Sequence, residues 1–170
     1  MRILYALAAG LALSAAAFLP ALAAGGDLKG SDGASHGSVT VTAAPKGVLL
    51  RIEASGLNPG WHGVHFHEKG ACSDPKFTSA GAHVHSTSPV VHGLLNAQAN
   101  DAGDLPNIHA GADGRATAEL YSALVSLSGG SSPALMDADG SAVVIHANPD
   151  DHKSQPIGGA GDRVACAVLH

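Results

Sequence analysis

Aromatic residues are nearly absent from this chain, which has one Trp, two Tyr and three Phe in 170 residues. That scarcity, beside 22 glycines, argues against a helical bundle and for a turn-rich β protein. Positive charge is also scarce. Nine Lys+Arg face 14 Asp+Glu, a net charge of −5 with His neutral. An acidic balance of this kind excludes a general nucleic-acid binder. Cysteine is limited to Cys72 and Cys166. The chain has no internal repeat, no low-complexity tract beyond the first residues and no long amphipathic helical pattern. After residue 23 no apolar run is long enough to span a membrane.

What is present begins with a leader. Met1-Arg2 gives a positive start, Ile3 to Leu19 is almost wholly apolar, and Ala21-Leu22-Ala23 is a small-x-small cleavage signal. Residues 1–23 therefore read as a secretory signal peptide, cut near Ala23 or Ala24. Gly10 and Pro20 interrupt the run and argue against a retained anchor, and no cysteine follows it as a lipid attachment point. The expected product is exported, with no membrane association after cleavage. In an exported chain an isolated cysteine pair reads as a disulfide. Closing so long a loop is worth about 4–5 kcal/mol in the chain-entropy model.

The remainder is long enough for one domain with a real core. Residues 24–36 are expected to be a flexible, Gly- and Asp-rich segment, and 37–170 the folded domain. Gly37 to Ala43 and Gly47 to Ala54 read as strands joined by a Pro45-Lys46-Gly47 turn. In the second, Leu50, Ile52 and Ala54 alternate with Arg51 and Glu53, the signature of a half-buried strand. Asn58-Pro59-Gly60 is a turn, and a His-bearing strand follows it. Periodicity then vanishes from Gly70 to Asn107; a loop of that length is usually functional. Strand patterns return at Arg115–Tyr121, Ala142–His146 and Arg163–Leu169, with a second long polar loop over Pro149–Asp162. Short strands and two long loops indicate an antiparallel sandwich or barrel.

The run His62-Gly63-Val64-His65-Phe66-His67-Glu68 limits function most tightly. On an extended segment His65 and His67 share one face while Val64 and Phe66 face the other way. Two imidazoles held on one face are half of a site for copper or zinc; the bland alternative is a polar strand face that happens to be His-rich. The long loop adds His83, His85, His92, Asp101 and Asp104, and the strand near residue 145 ends in His146 with Asp150 four residues on. His65, His67, His83 and His146 form a nitrogen-rich set of the kind Cu(II) takes; His83, His92 and Asp104 form a mixed set suited to zinc.

With those residues in view, the sequence resembles a copper/zinc superoxide dismutase of the exported bacterial type. The segments SAGAHVH, VVHG, AGDLPNI, SAVVIHANPDD and GGAGDRVACAVL carry the resemblance along with the His-x-His-Glu strand, in the family's order across most of 37–169. The resemblance implies an eight-stranded antiparallel Greek-key β-barrel with two long functional loops. It implies dismutation of superoxide to oxygen and hydrogen peroxide in the periplasm, by a monomer or homodimer with one copper and one zinc per subunit. By it, His65, His67, His83 and His146 ligate copper, and His83 bridges to zinc and takes part in proton transfer. His92 and Asp104 ligate zinc, Asp150 orients histidines of both sites, Arg163 docks the anion, and Cys72 pairs with Cys166. Lys69 and Lys153 are weaker candidates for steering the anion. His62 matches a histidine that bonds backbone, and His36, His109, His152 and His170, without counterparts, are expected on the solvated surface.

One position departs from the pattern. The family places a third zinc histidine three residues before the zinc aspartate, and here the run is Asp101-Ala102-Gly103-Asp104. Asp101 as an oxygen ligand is the expectation, with His85 or His109 as substitutes or a weak zinc site as alternatives. The departure also motivates a second functional reading: an exported copper- and zinc-binding protein on the same barrel with little catalysis.

Overall fold

A computed structural model describes residues 21–170, so the leader-like residues 1–20 lie outside the described part. Three strands open the fold as a meander: β1 (Ala23–Gly30), β2 (Ser35–Ala44) and β3 (Gly47–Ala54). β4 (Gly60–His62) and β5 (Val64–His67) follow, then, after the long loop, β6 (Ile108–Ala110) and β7 (Ala116–Ser122). β8 (Ala142–His146) and β9 (Arg163–Val168) close the chain. Among the described residues the only helical element is a single 3-10 turn, Thr78–Ala80, and no helix is long and apolar enough to cross a membrane.

Seven strands form one sheet in the order β5-β8-β9-β1-β2-β3-β7, and β4 pairs with β6, every pair antiparallel. β4 and β5 are one strand interrupted at Gly63, whose two halves pair with different neighbours. Counted that way the nine segments are the eight strands expected. The tight turn after β6, closed by Gly111 N–H on Arg115 O (2.9 Å), leads straight into β7. That connection and the split strand bring the two ends of the sheet together, and the all-β antiparallel barrel is what the chain forms.

Period-2 alternation explains both faces. Val39, Val41, Leu50, Ile52, Val64, Phe66, Val143 and Ile145 all point into the main core. On β8 the alternate residues Ala142 and Val144 face outward, yet they are buried with Phe77, Ala80 and Cys166 under the long loop. The disulfide between Cys72 and Cys166, across 94 residues, ties that loop to β9. This outer layer, a sheet face covered by loop, is where the site lies.

The expectation of a loose 24–36 segment does not hold. Residues 23–30 form β1, paired with β2 along its length and with β9 at Lys29 and Gly30. Leu28 is fully buried. The glycines that suggest looseness serve close packing instead: a Cβ on Gly26 would run into Val168 O. Among the described residues strand pairing therefore begins at Ala23, ahead of residue 37.

Candidate metal centre

β5 is an edge strand, and the long loop covers that edge with backbone hydrogen bonds. Val84 N–H donates to Phe66 O (2.9 Å), Glu68 N–H to Ala82 O (2.9 Å), and Phe66 N–H to Gly103 O (2.9 Å). These contacts set His83 opposite His67 and Asp104 opposite His65. Gly103 is needed for the approach, because a Cβ there would meet Phe66 O and Val84 N. Loop residues 15 to 40 positions away thus reach the His face of β5 through a short register, with no helix or strand of their own.

His65, His67, His83 and His146 are all buried, and one nitrogen from each lies within 4.8 Å of the others. The His65 and His83 rings stack with centroids 4.0 Å apart. Each ring has its other nitrogen engaged. His67 Nδ1 donates to Gly81 O (3.0 Å) and His146 Nδ1 to Gly161 O (3.0 Å). His65 Nε2 donates to Asp150 Oδ2 (3.0 Å), and His83 Nδ1 lies on Asp101 Oδ2 (2.8 Å). These partners fix the tautomers. What remains is one unpaired buried nitrogen per ring: His65 Nδ1, His67 Nε2, His83 Nε2 and His146 Nε2. Burial holds His65 down to about 4 and His146 down to about 3, and pushes His67 well below its ordinary value. All three are neutral at pH 7, the form that ligates metal.

The second group is built from opposite charges. His92 Nδ1 lies 2.6 Å from Asp104 Oδ1 and 3.5 Å from Asp101 Oδ2; His83 Nδ1 lies 3.6 Å from Asp104 Oδ1. Donor atoms of His65, His83, His92 and Asp104 also fall within 4.8 Å of one another. Asp101 stands beside this group, its Oδ2 2.8 Å from His83 Nδ1 and 3.5 Å from His92 Nδ1. His85 turns away, its Nδ1 on His83 O (2.8 Å) and near Glu68. His109 is exposed, edge-on to Trp61. Burial opposes charge on His92, but its bonds to Asp101, Asp104 and Asp150 win and raise it to about 11. His83 is likewise raised, by Asp101 and Asp104 against its burial. Burial works against ionisation of Asp101 and Asp104, and the same histidines nevertheless lower both.

Asp150 joins the two groups. Its Oδ2 accepts from His65 Nε2 and its Oδ1 from His92 Nε2, each at 3.0 Å. Asn107 fixes it from behind: Asp150 N–H donates to Asn107 Oδ1 (2.9 Å) and Asn107 Nδ2 donates to Asp150 O (2.8 Å). Asn107 lies within the AGDLPNI segment, but no role for it is legible in the sequence. Arg163 is half-buried at the other side, donating through Nη1 to Phe77 O (2.6 Å) and through Nη2 to Gly81 O (2.7 Å). Among the described residues it forms no ion pair within 4.0 Å, and Asp74 acts on it only at longer range. His62 bonds backbone only, at His146 O (2.7 Å) and Asn58 O (2.8 Å).

Two histidines expected on the surface are not there. His36 is buried, 3.3 Å from Asp32 and against Gly56, because the β1–β2 pairing encloses it. His152 is half-buried beside Asp150 and Asn107. His170 is exposed.

Residues 35–169 match the family described as Copper/zinc superoxide dismutase (SODC). The chain is 68% identical over 143 residues to "Superoxide dismutase [Cu-Zn]" of Caulobacter vibrioides, covering 84% of this chain and 82% of that one. The chain belongs to the copper/zinc superoxide dismutase family. Among solved structures, a SOD-like protein from Bacillus subtilis superposes with a TM-score of 0.78 at 36% identity, covering 85% of this chain and 97% of that one. Cu/Zn superoxide dismutase from Brucella abortus superposes at 0.69 with 25% identity, covering 88% and 100%.

The residues present fit the metals of this superoxide dismutase family. Four buried imidazole nitrogens without a partner, with tautomers set by carbonyls and carboxylates, suit copper. His92 Nδ1 and Asp104 Oδ1, an ion pair 2.6 Å apart beside His83 and Asp101, suit zinc, which accepts both nitrogen and carboxylate oxygen.

Proposed function

We propose that this chain dismutates superoxide, converting two superoxide anions and two protons into dioxygen and hydrogen peroxide. The observation that carries the reading is the set of four buried imidazole nitrogens without a hydrogen-bond partner on and beside β5 and β8. His65 Nδ1, His67 Nε2, His83 Nε2 and His146 Nε2 would hold copper, which would supply a one-electron couple, and His83, His92, Asp101 and Asp104 would hold zinc, which would add charge without changing oxidation state.

The chain's own residues do the rest. His83 presents Nε2 to the copper side and Nδ1 to Asp101 and Asp104, so Nε2 would be the atom that carries a proton for peroxide while it is not ligating metal. Asp150 keeps His65 and His92 from turning, through one carboxylate oxygen each. Arg163 offers the substrate anion a guanidinium bonded to carbonyls and not to an acid. In a chain of net charge −5 such attraction has to be local. Export to the periplasm is supported by the leader-like first 23 residues and by the disulfide, which persists in oxidising compartments.

Metal analysis and a superoxide assay on one sample test this. Catalysis in proportion to bound copper is expected. Stoichiometric copper without catalysis would favour the metal-binding reading. Asp101→Ala with unchanged zinc content would remove Asp101 from the zinc set.

A further inference from the structure

His65, His67 and His146 sit on β5 and β8, where ladder hydrogen bonds hold the backbone beneath each ring. His92 is just as deeply buried but lies on loop, in no strand. Its peptide groups have to find partners elsewhere, since a buried N–H or C=O is costly to leave unpaired. One side chain serves both of them. His92 N–H donates to Gln155 Oε1 (2.9 Å), and Gln155 Nε2 donates back to His92 O (2.9 Å). Asn96 Nδ2 adds a longer bond to the same carbonyl (3.3 Å).

Gln155 is itself held, its Nε2 also donating to Lys153 O (3.0 Å). The next peptide is fixed as well, Gly93 N–H donating to Asp104 Oδ2 (2.7 Å). The loop between β8 and β9 therefore grips His92 twice: Asp150 takes the ring at Nε2, and Gln155 takes the backbone. The carboxamide copies what a neighbouring strand does on β5, pairing one residue's N–H and C=O together.

We infer that Gln155 is a positioning residue for the zinc side, standing in for a strand partner and holding His92 in register with Asp101 and Asp104. The inference rests on His92 being a zinc ligand, as read above. Gln155 touches none of the copper-side histidines' side chains among its hydrogen bonds, so its effect should be confined to zinc.

The test uses the full chain loaded with copper and zinc, as wild type, Gln155→Ala, Gln155→Glu and His92→Ala. Zinc transfer to a colorimetric chelator is timed, and Co(II) in place of zinc reports the site's geometry through its visible bands. Gln155→Ala should release zinc about tenfold faster or more and shift the cobalt bands, with the copper band unmoved. Gln155→Glu keeps an acceptor for the His92 amide and loses the donor, so its release rate should fall between. Release by Gln155→Ala within about twofold of wild type, with an unchanged cobalt spectrum, overturns the inference. Equal loosening of both metals with a lowered Tm also overturns it, because that marks a general structural role. If wild type and His92→Ala release zinc identically, or neither holds any, the zinc reading of His92 itself fails and Gln155 falls with it.

Discussion

The His65, His67 and His146 side of the centre is made of nitrogen on strands, whereas the His92, Asp101 and Asp104 side is made largely of charge on a loop. On the first side burial dominates. It keeps the rings neutral, and two backbone carbonyls and one carboxylate oxygen select which nitrogen is free. On the second side burial is outweighed. Acids and imidazoles favour one another's ionised forms there. The first arrangement suits a metal that must change charge while its ligands stay put. The second suits a cation that stays divalent and must displace protons to enter.

The sharpest way to break this contrast is to remove a nitrogen from the rigid side. His146→Ala should lower superoxide turnover by roughly three orders of magnitude, with copper content falling and zinc content preserved. Loss of both metals together would show that the sides are not separable. Asp150→Ala touches both, and should weaken copper and zinc binding each by about 10–100-fold, measured by competition with chelators. An effect on one metal only would break its reading as the link between them.

Asp101 sharpens the comparison on the charged side alone. Asp101→Ala should weaken zinc by about tenfold or more while leaving copper as it was, and Asp101→His should tighten zinc beyond wild type. Arg163→Ala should lower the rate by about tenfold at low ionic strength, with the gap narrowing as salt rises. A gap independent of salt would mean that Arg163 acts only by holding the Phe77 and Gly81 carbonyls.

The smallest effect is in protons. His92 is raised to about 11 in the metal-free protein, so at pH 7 it carries a proton that zinc must displace. Zinc loading at pH 7 should therefore release about one proton or more by calorimetry in two buffers, and zinc affinity should fall as pH falls below about 11. His65 and His146, at about 4 and 3, are already deprotonated. Their share of copper affinity should accordingly stay flat until the pH approaches those values, and any dependence above them should come from His83, which Asp101 and Asp104 raise. Equal proton release by both metals would erase the distinction.

The nitrogen side is also the legible side. His65-x-His67 needs only the period of a strand to set both rings on one face, and β8 forms over Ala142–His146 as its apolar run indicates. β1 is illegible because its glycines look like loop until β2 and β9 pass close beside them. β4 and β6, three residues each, are too short to show a period. The roles of Asn107 and Gln155 are not legible, since a carboxamide pairing with a distant peptide leaves no spacing to read.

By itself the sequence determined the fold class, the donor chemistry on β5 and β8, and the place where the zinc run departs from its family, because strand period and residue type are local properties. Only the tertiary structure decided that Asp101, and not His85 or His109, faces His83 and His92. The physical reason is the edge of β5. Backbone bonds at Ala82, Val84 and Gly103 fix which loop atoms lie over the histidine face, and no property of a single residue encodes that register.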